Sequence, residues 1–328
     1  MAMQSHSTVL ADLLAPTPLD VFLKRHWDRA PLLVRGDRPG QLDGAARWAR
    51  LFSEDALDEL LSEGGLSAPG LRLHRSGGGV PAGAMSIHRL PWGTGAVAGF
   101  ARPERVFDLL AEGCSLSLDA ADRLWGPLGA LCADLRGVLS AELHCRVLRA
   151  PVADKPGEAV YDVGHQFVLQ VGGARRWQVS GPHIERPLRL EQCPPEGVEA
   201  GEPLLEVRLE AGDLLYVPRG FVVQQAGVSD TASLEVVVSV VPYTWHDLAL
   251  AVARRLDDND GGAAIRPDTR KAVGLSDTQV DWLDEQVENA LLEHDVDAAL
   301  ASLGGPARAS LPLSAGLSRS EDGVETDR

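Results

Sequence analysis

The stretch Val160-Tyr161-Asp162-Val163-Gly164-His165-Gln166-Phe167-Val168-Leu169-Gln170-Val171-Gly172-Gly173-Ala174-Arg175-Arg176-Trp177-Gln178-Val179 decides the fold. Phe167–Val171 and Arg175–Val179 are short runs with the β-branched and aromatic residues that suit strands. Gly172-Gly173 between them predicts a tight hairpin turn. Downstream, Leu204–Leu209 and Asp213–Val217 read as two further strands. Pro218-Arg219-Gly220 reads as a turn, because Pro presets φ and Gly relieves it. Ser233–Val241 reads as a long, buried, β-branched strand. Upstream, Leu143, Cys145 and Val147 alternate with His144, Arg146 and Leu148 at the strand period of two. Short strands separated by turn residues imply a sandwich or small barrel over residues 141–243.

The flanks carry a different pattern. Residues 1–140 read as helices and connecting loops around that core. Pro18–Trp27 has helical spacing, with Thr17 as N-cap and Pro18 at the first position. Pro31–Val34 suits a short strand. Ser53 caps a helix whose first turn is acidic, matching the positive end of the helix dipole. Arg105–Glu112 forms another helix, ended by Gly113, and Leu124-Trp125-Gly126-Pro127-Leu128 opens one that runs to about Leu139. Residues 244–303 return to helices: Trp245–Leu256, and a second capped by Ser276. Residues 304–328 are small, polar and acidic, the composition of a disordered tail.

Composition bounds the function. The 328 residues are 45% hydrophobic and 24% charged, proportions of a globular protein. A formal charge of −16 leaves no basic face for nucleic acid. It suits solubility, and it also suits a basic partner such as a cationic peptide. Cys114, Cys132, Cys145 and Cys193 form no C-x-x-C pair, so isolated buried thiols in a reducing compartment are expected. No secretory signal and no apolar run of membrane-spanning length is read, so no membrane partner is expected and the cytoplasm is the default location. No nucleophile elbow, P-loop or dinucleotide fingerprint occurs.

The segments Val160–Trp177 and Gly212–Val223 together resemble the core of the JmjC/cupin family of bacterial Fe(II)/2-oxoglutarate-dependent protein hydroxylases, of the ribosomal oxygenase type. The likeness covers about residues 10–300. It implies an α+β fold: a double-stranded β-helix core, a helical N-terminal part and a helical C-terminal domain of the dimerisation type. In that family a His-x-Asp motif precedes the Phe-Val-Leu-Gln strand, and a second His lies five residues after the Pro of the Pro-Arg-Gly turn. Here those positions hold Val160 and Val223, and only the carboxylate, Asp162, is kept. The resemblance also assigns Arg175 to the far carboxylate of 2-oxoglutarate, a role guanidinium geometry suits.

Valine donates no lone pair, and an iron oxygenase of this type needs two imidazoles and a carboxylate. The leading expectation is therefore a non-catalytic relative without a metal or cofactor. It would act as a binding, scaffold or regulatory subunit toward a peptide, a protein or an active homologous enzyme. The alternative is an active hydroxylase using Fe(II) and 2-oxoglutarate at a non-standard site, with Asp162 joined by His165. His165 lies three residues on, so a regular strand puts the two on opposite faces, and a bulge at Gly164 is required to bring it inward. A further alternative is a metal-free carboxylate binder anchored by Arg175, whose structural role would otherwise be to pair with Asp162. Tyr161, Phe167, Trp177, Tyr216 and Phe221 read as core, and Arg219 as serving its own turn.

Overall fold

The structure, a computed structural model, describes residues 3–36, 44, 46–63, 65–67, 70–75, 78–87, 99–139, 141–152, 154–228, 230–244 and 247. The expected helices at Trp245–Leu256 and after Ser276, and the tail, lie outside the described residues. The chain divides into two compact units, residues 1–136 with 143–241 and residues 137–142 with 242–328. The first holds the candidate site.

Seven helices are described: α1 Met3–Leu14, α2 Leu19–Arg25, α3 Glu54–Glu63, α4 Ala82–Met85, α5 Pro103–Ala111, α6 Ala121–Leu124 and α7 Gly126–Leu139. The twelve described strands are β1 Leu32–Val34, β2 Leu71–Arg75, β3 Gly78–Gly79, β4 Ser86–Ile87, β5 Phe100–Ala101, β6 Ser115–Asp119, β7 Ala141–Ala150, β8 His165–Pro182, β9 Pro203–Glu210, β10 Leu214–Val217, β11 Phe221–Gly227 and β12 Ser233–Pro242. β4 and β5 pair with each other, and the other ten strands form one sheet in the order β1-β10-β8-β12-β7-β6-β2-β3, with β9 and β11 also joined to β8.

The predicted hairpin is a single strand. β8 runs unbroken through Gly172-Gly173. Its first half pairs with β10 and β12, and its second half with β9 and β11. The glycines mark the crossing between two sheet regions, where the register to β12 shifts between Leu234 and Glu235. Gly173 has φ +59, and a Cβ there would lie 1.7 Å from the Ala232 carbonyl oxygen. Only glycine fits that approach.

The two regions of β8 face each other across one core. Val168, Leu215, Val217 and Val237 from one region meet Trp177, Val179, Val207, Leu209, Phe221 and Val223 from the other. Each fully buried side chain of this size contributes roughly 1.5–3 kcal/mol relative to exposure. This is the double-sheet core expected of a cupin-type β-helix.

The N-terminal part is less purely helical than its sequence suggests. β2 and β6 pair with each other, and β6 pairs with β7, extending the main sheet. The Ser53 side chain accepts a hydrogen bond from the Ala56 N–H at 3.1 Å, as a helix cap should. Pro18, rather than Thr17, stands at the cap of α2. Cys114, Cys132 and Cys145 are buried and Cys193 is half-buried. All four are free; Cys132 beside it and burial push the Cys145 thiol up. Among the described residues, no helix is long and apolar enough to cross a membrane.

Candidate functional site

Val160 lies on the extended segment that flanks β11. It forms an antiparallel bridge with Val223, each N–H donating to the other's carbonyl at 2.9 and 2.7 Å. Directly paired residues share a face. Val223 is buried in the core cluster, so Val160 points the same way, yet it is 39% exposed. The two valines therefore flank an edge where the space between the sheets meets solvent.

Asp162 follows on the same segment. One carboxylate oxygen accepts the Gly164 N–H at 2.8 Å, and the other accepts Gln166 Nε2 at 3.0 Å and the Ser239 hydroxyl at 3.2 Å. Gln166 and Ser239 are cross-strand partners, so the carboxylate ties its own loop to the paired strands β8 and β12. Three neutral donors hold it, not Arg175.

His165 points to the opposite face. Its imidazole is fully buried, stacks on Trp27 at 4.0 Å and meets the Tyr216 hydroxyl through Nδ1 at 2.9 Å. The Arg219 N–H also donates to Nδ1, at 3.4 Å, and the Asp28 N–H donates to the Tyr216 oxygen at 3.0 Å. Nδ1 is thus the acceptor, Tyr216 donates to it, and the network assigns the ring hydrogen to Nε2. Nε2 lies 3.9 Å from Asp28 Oδ1, too far for a hydrogen bond. Burial drives the imidazole pKa down to about 3. His165 and Asp162 do not converge.

Arg219 has a longer reach than its turn. Its guanidinium grips Asp28 through Nε at 3.0 Å and Nη2 at 3.1 Å, and Arg186 adds a contact at 3.2 Å. Asp28 sits at φ 60, a conformation that short polar residues tolerate. Burial alone would raise its carboxyl, but the hydrogen bond and charge of Arg219, with His165 and Arg186, bring it below the usual range. The clamp pins the segment after α2 onto the barrel. Phe22, Trp27, Phe167 and Tyr216 stack beside it.

Arg175 faces inward, two residues before Trp177. Its guanidinium lies 3.4 Å from both Ser233 Oγ and Asp154 Oδ2, and its Nε is 3.9 Å from Glu235 Oε2. Glu235, which the sequence reading passed over, is completely buried and accepts Trp177 Nε1 at 2.8 Å. Its signal was present: a lone acid in the apolar run Leu234-Glu235-Val236-Val237-Val238. Arg175 also lines a cavity of about 530 Å³ with His74, Arg75, Ser115, Asp154 and Lys155. Tyr161 donates its hydroxyl to the Glu191 carbonyl and stacks on His183.

A ferrous ion held by two imidazoles and a carboxylate does not fit this donor set. Two positions are aliphatic and the third is a carboxylate already accepting three hydrogen bonds. Among the described residues, no group of three or more His, Cys, Asp or Glu side chains is placed to hold a metal.

A JmjC domain profile matches residues 144–248. Ribosomal oxygenase 1 of Gallus gallus is 33% identical over 233 residues, 69% of this chain and 35% of that protein. The bifunctional lysine-specific demethylase and histidyl-hydroxylase NO66 of Dictyostelium discoideum is 28% identical, covering 75% of this chain and 46% of its own length. The chain thus spans between a third and a half of these relatives. Among solved structures, the Escherichia coli ribosomal oxygenase YcfD superposes with a TM-score of 0.55 at 18% identity, over 86% of this chain and 68% of YcfD, in a complex with cobalt and 2-oxoglutarate. That likeness carries the fold.

Proposed function

Because this chain carries a JmjC domain and is homologous to the ribosomal oxygenases, we propose that it keeps the fold of a 2-oxoglutarate oxygenase and works without the iron chemistry. In this reading it is a binding, scaffold or regulatory subunit. One observation carries the proposal: Val160 and Val223 pair face to face at the two positions where the resemblance calls for imidazoles. The three donors on Asp162 support it, since a carboxylate freed of a metal needs other partners when partly buried.

The partner is a protein or peptide. Relatives named as ribosomal oxygenases and histidyl-hydroxylases suggest this class. The net charge of −16 favours a basic one, and an active homologous enzyme is the other candidate.

Anaerobic incubation with Fe(II) and 2-oxoglutarate, followed by desalting and metal analysis, tests the reading. Iron far below one ion per chain is expected, with no succinate formed. Near-stoichiometric iron, or turnover of 2-oxoglutarate that depends on Asp162, overturns it.

A further inference from the structure

A buried acid facing a buried base needs a reason, because desolvating a carboxylate is unfavourable. Glu235 has no exposure, and the register shift between Leu234 and Glu235 fixes its place on β12. Trp177 holds one oxygen at 2.8 Å, while the other stands 3.9 Å from Arg175 Nε. That second oxygen, Arg175 Nε and Gln170 Oε1 are buried without a hydrogen-bond partner, and Gln170 is the cross-strand partner of Glu235. Asp154 approaches Arg175 from the other side at 3.4 Å.

One guanidinium is thus flanked by two carboxylates of the protein itself. The contacts are longer than the ~2.7–2.9 Å of a strong charge-assisted bond, so the arrangement neutralises Arg175 without saturating it. Lys155 and Arg75 add positive charge to the cavity lining, Arg75 being bound to Glu112. These cations would draw an anion toward the mouth. Any exclusion of a dicarboxylate must therefore be exercised at Arg175.

We propose that Glu235 is a built-in counter-carboxylate that occupies Arg175 and bars free dicarboxylates, 2-oxoglutarate included, from the cavity Arg175 lines. Prior occupancy and charge repulsion act together: Glu235 takes up Arg175 from the buried side, and a dianionic ligand meets Asp154 at the cavity lining. Glu235 is then the residue that sets what the cavity refuses. The inference rests on reading the pocket as non-catalytic, but its test contains no metal, so the two readings fail separately.

The experiment is calorimetric titration of metal-free protein with 2-oxoglutarate. Wild type is expected to give no saturable binding at millimolar ligand. Glu235→Gln, which keeps an acceptor for Trp177 and removes the charge, is expected to bind at least about tenfold more tightly. Adding Arg175→Ala should abolish that gain. Wild-type binding that disappears in Arg175→Ala overturns the proposal. So does a Glu235→Gln protein with wild-type near-UV circular dichroism and no gain, or a gain that survives loss of Arg175. Should Glu235→Gln not fold, Glu235→Met puts the same question at similar volume. The Trp177 indole resonance supplies a readout on unmodified protein: it should stay in place as 2-oxoglutarate is added, and its displacement overturns the proposal.

Discussion

Val160 and Val223 exchange two backbone hydrogen bonds across the edge of the core, at 2.9 and 2.7 Å. Cα atoms in such a pair stand about 5.5 Å apart, a spacing from which two imidazoles can converge on one ion. In the proposed reading, the backbone that would present a metal site is kept while its donors are gone. The double substitution V160H/V223H is expected to retain Co(II) near one ion per chain after desalting. Wild type and either single substitution should retain far less, and adding Asp162→Ala should remove the gain. Metal analysis with visible absorbance of the cobalt protein checks this.

The Arg219–Asp28 clamp joins residues 191 apart in sequence. Both side chains are largely buried, and removing Arg219 leaves Asp28 with only the exposed Arg186 as a cationic contact. Arg219→Ala is expected to cost about 3 kcal/mol of stability, the low end for a broken buried pair because Arg186 remains, read from the urea midpoint. Arg219→Lys should recover only part, because an ammonium cannot make the two-pronged contact.

His165 makes stability depend on pH. Its folded pKa of about 3 lies below the ordinary 6.5, chiefly through burial. The unfolded chain then binds the proton more readily. The contribution is full above pH 6.5 and is lost as pH falls toward 3, with a slope approaching about 1.4 kcal/mol per pH unit. Glu235 acts in the other sense: burial, against the pull of Arg175 and Trp177, raises its carboxyl. Its contribution is present at low pH and is lost as pH rises through the folded pKa, above which Glu235 is the carboxylate that faces Arg175. His165→Gln keeps Glu235 and removes the imidazole. Its stability between pH 6.5 and 4, followed by chemical denaturation, should fall less steeply than that of wild type.

Gly173 tests the path of β8. A methyl group there meets the Ala232 carbonyl at 1.7 Å in a left-handed conformation. Gly173→Ala combines backbone strain with overpacking, and a loss of about 3–5 kcal/mol or failure to fold is expected. Gly181 has open space around its Cβ position, and Gly181→Ala serves as the mild control in the same thermal melts.

Strands β7, β9, β10 and β12 and the two halves of β8 were legible because β-branched runs and turn residues announce themselves locally, whereas β11, Phe221–Gly227, was not read as a strand. The Gly172-Gly173 reading failed because a glycine pair between two apolar runs looks alike in a hairpin and in a strand that changes sheets. Strand partners from 23 residues (Ser180 with Pro203) to 75 residues (His165 with Val240) downstream decide between them. β2 and β6 did carry a period-two signal, Leu71-Arg72-Leu73-His74 and Ser115-Leu116-Ser117-Leu118, hidden among helices. The absence of imidazoles at Val160 and Val223 was readable residue by residue. The neighbours of Asp162, Arg175 and Arg219 were not, since Ser239, Glu235 and Asp28 arrive from remote positions by tertiary packing.

Strand β8 leaves the two sheet regions no separate fate. One half cannot melt without surrendering the hydrogen bonds that order the other, so the barrel should open as a single cooperative unit. Its central amides, Val168 to Leu169 and Trp177 to Gln178, should exchange with solvent only through global unfolding. Any breathing that admits a partner belongs to the margins, to the segment of residues 154–160 beside β11 and to the β2–β3 end of the sheet.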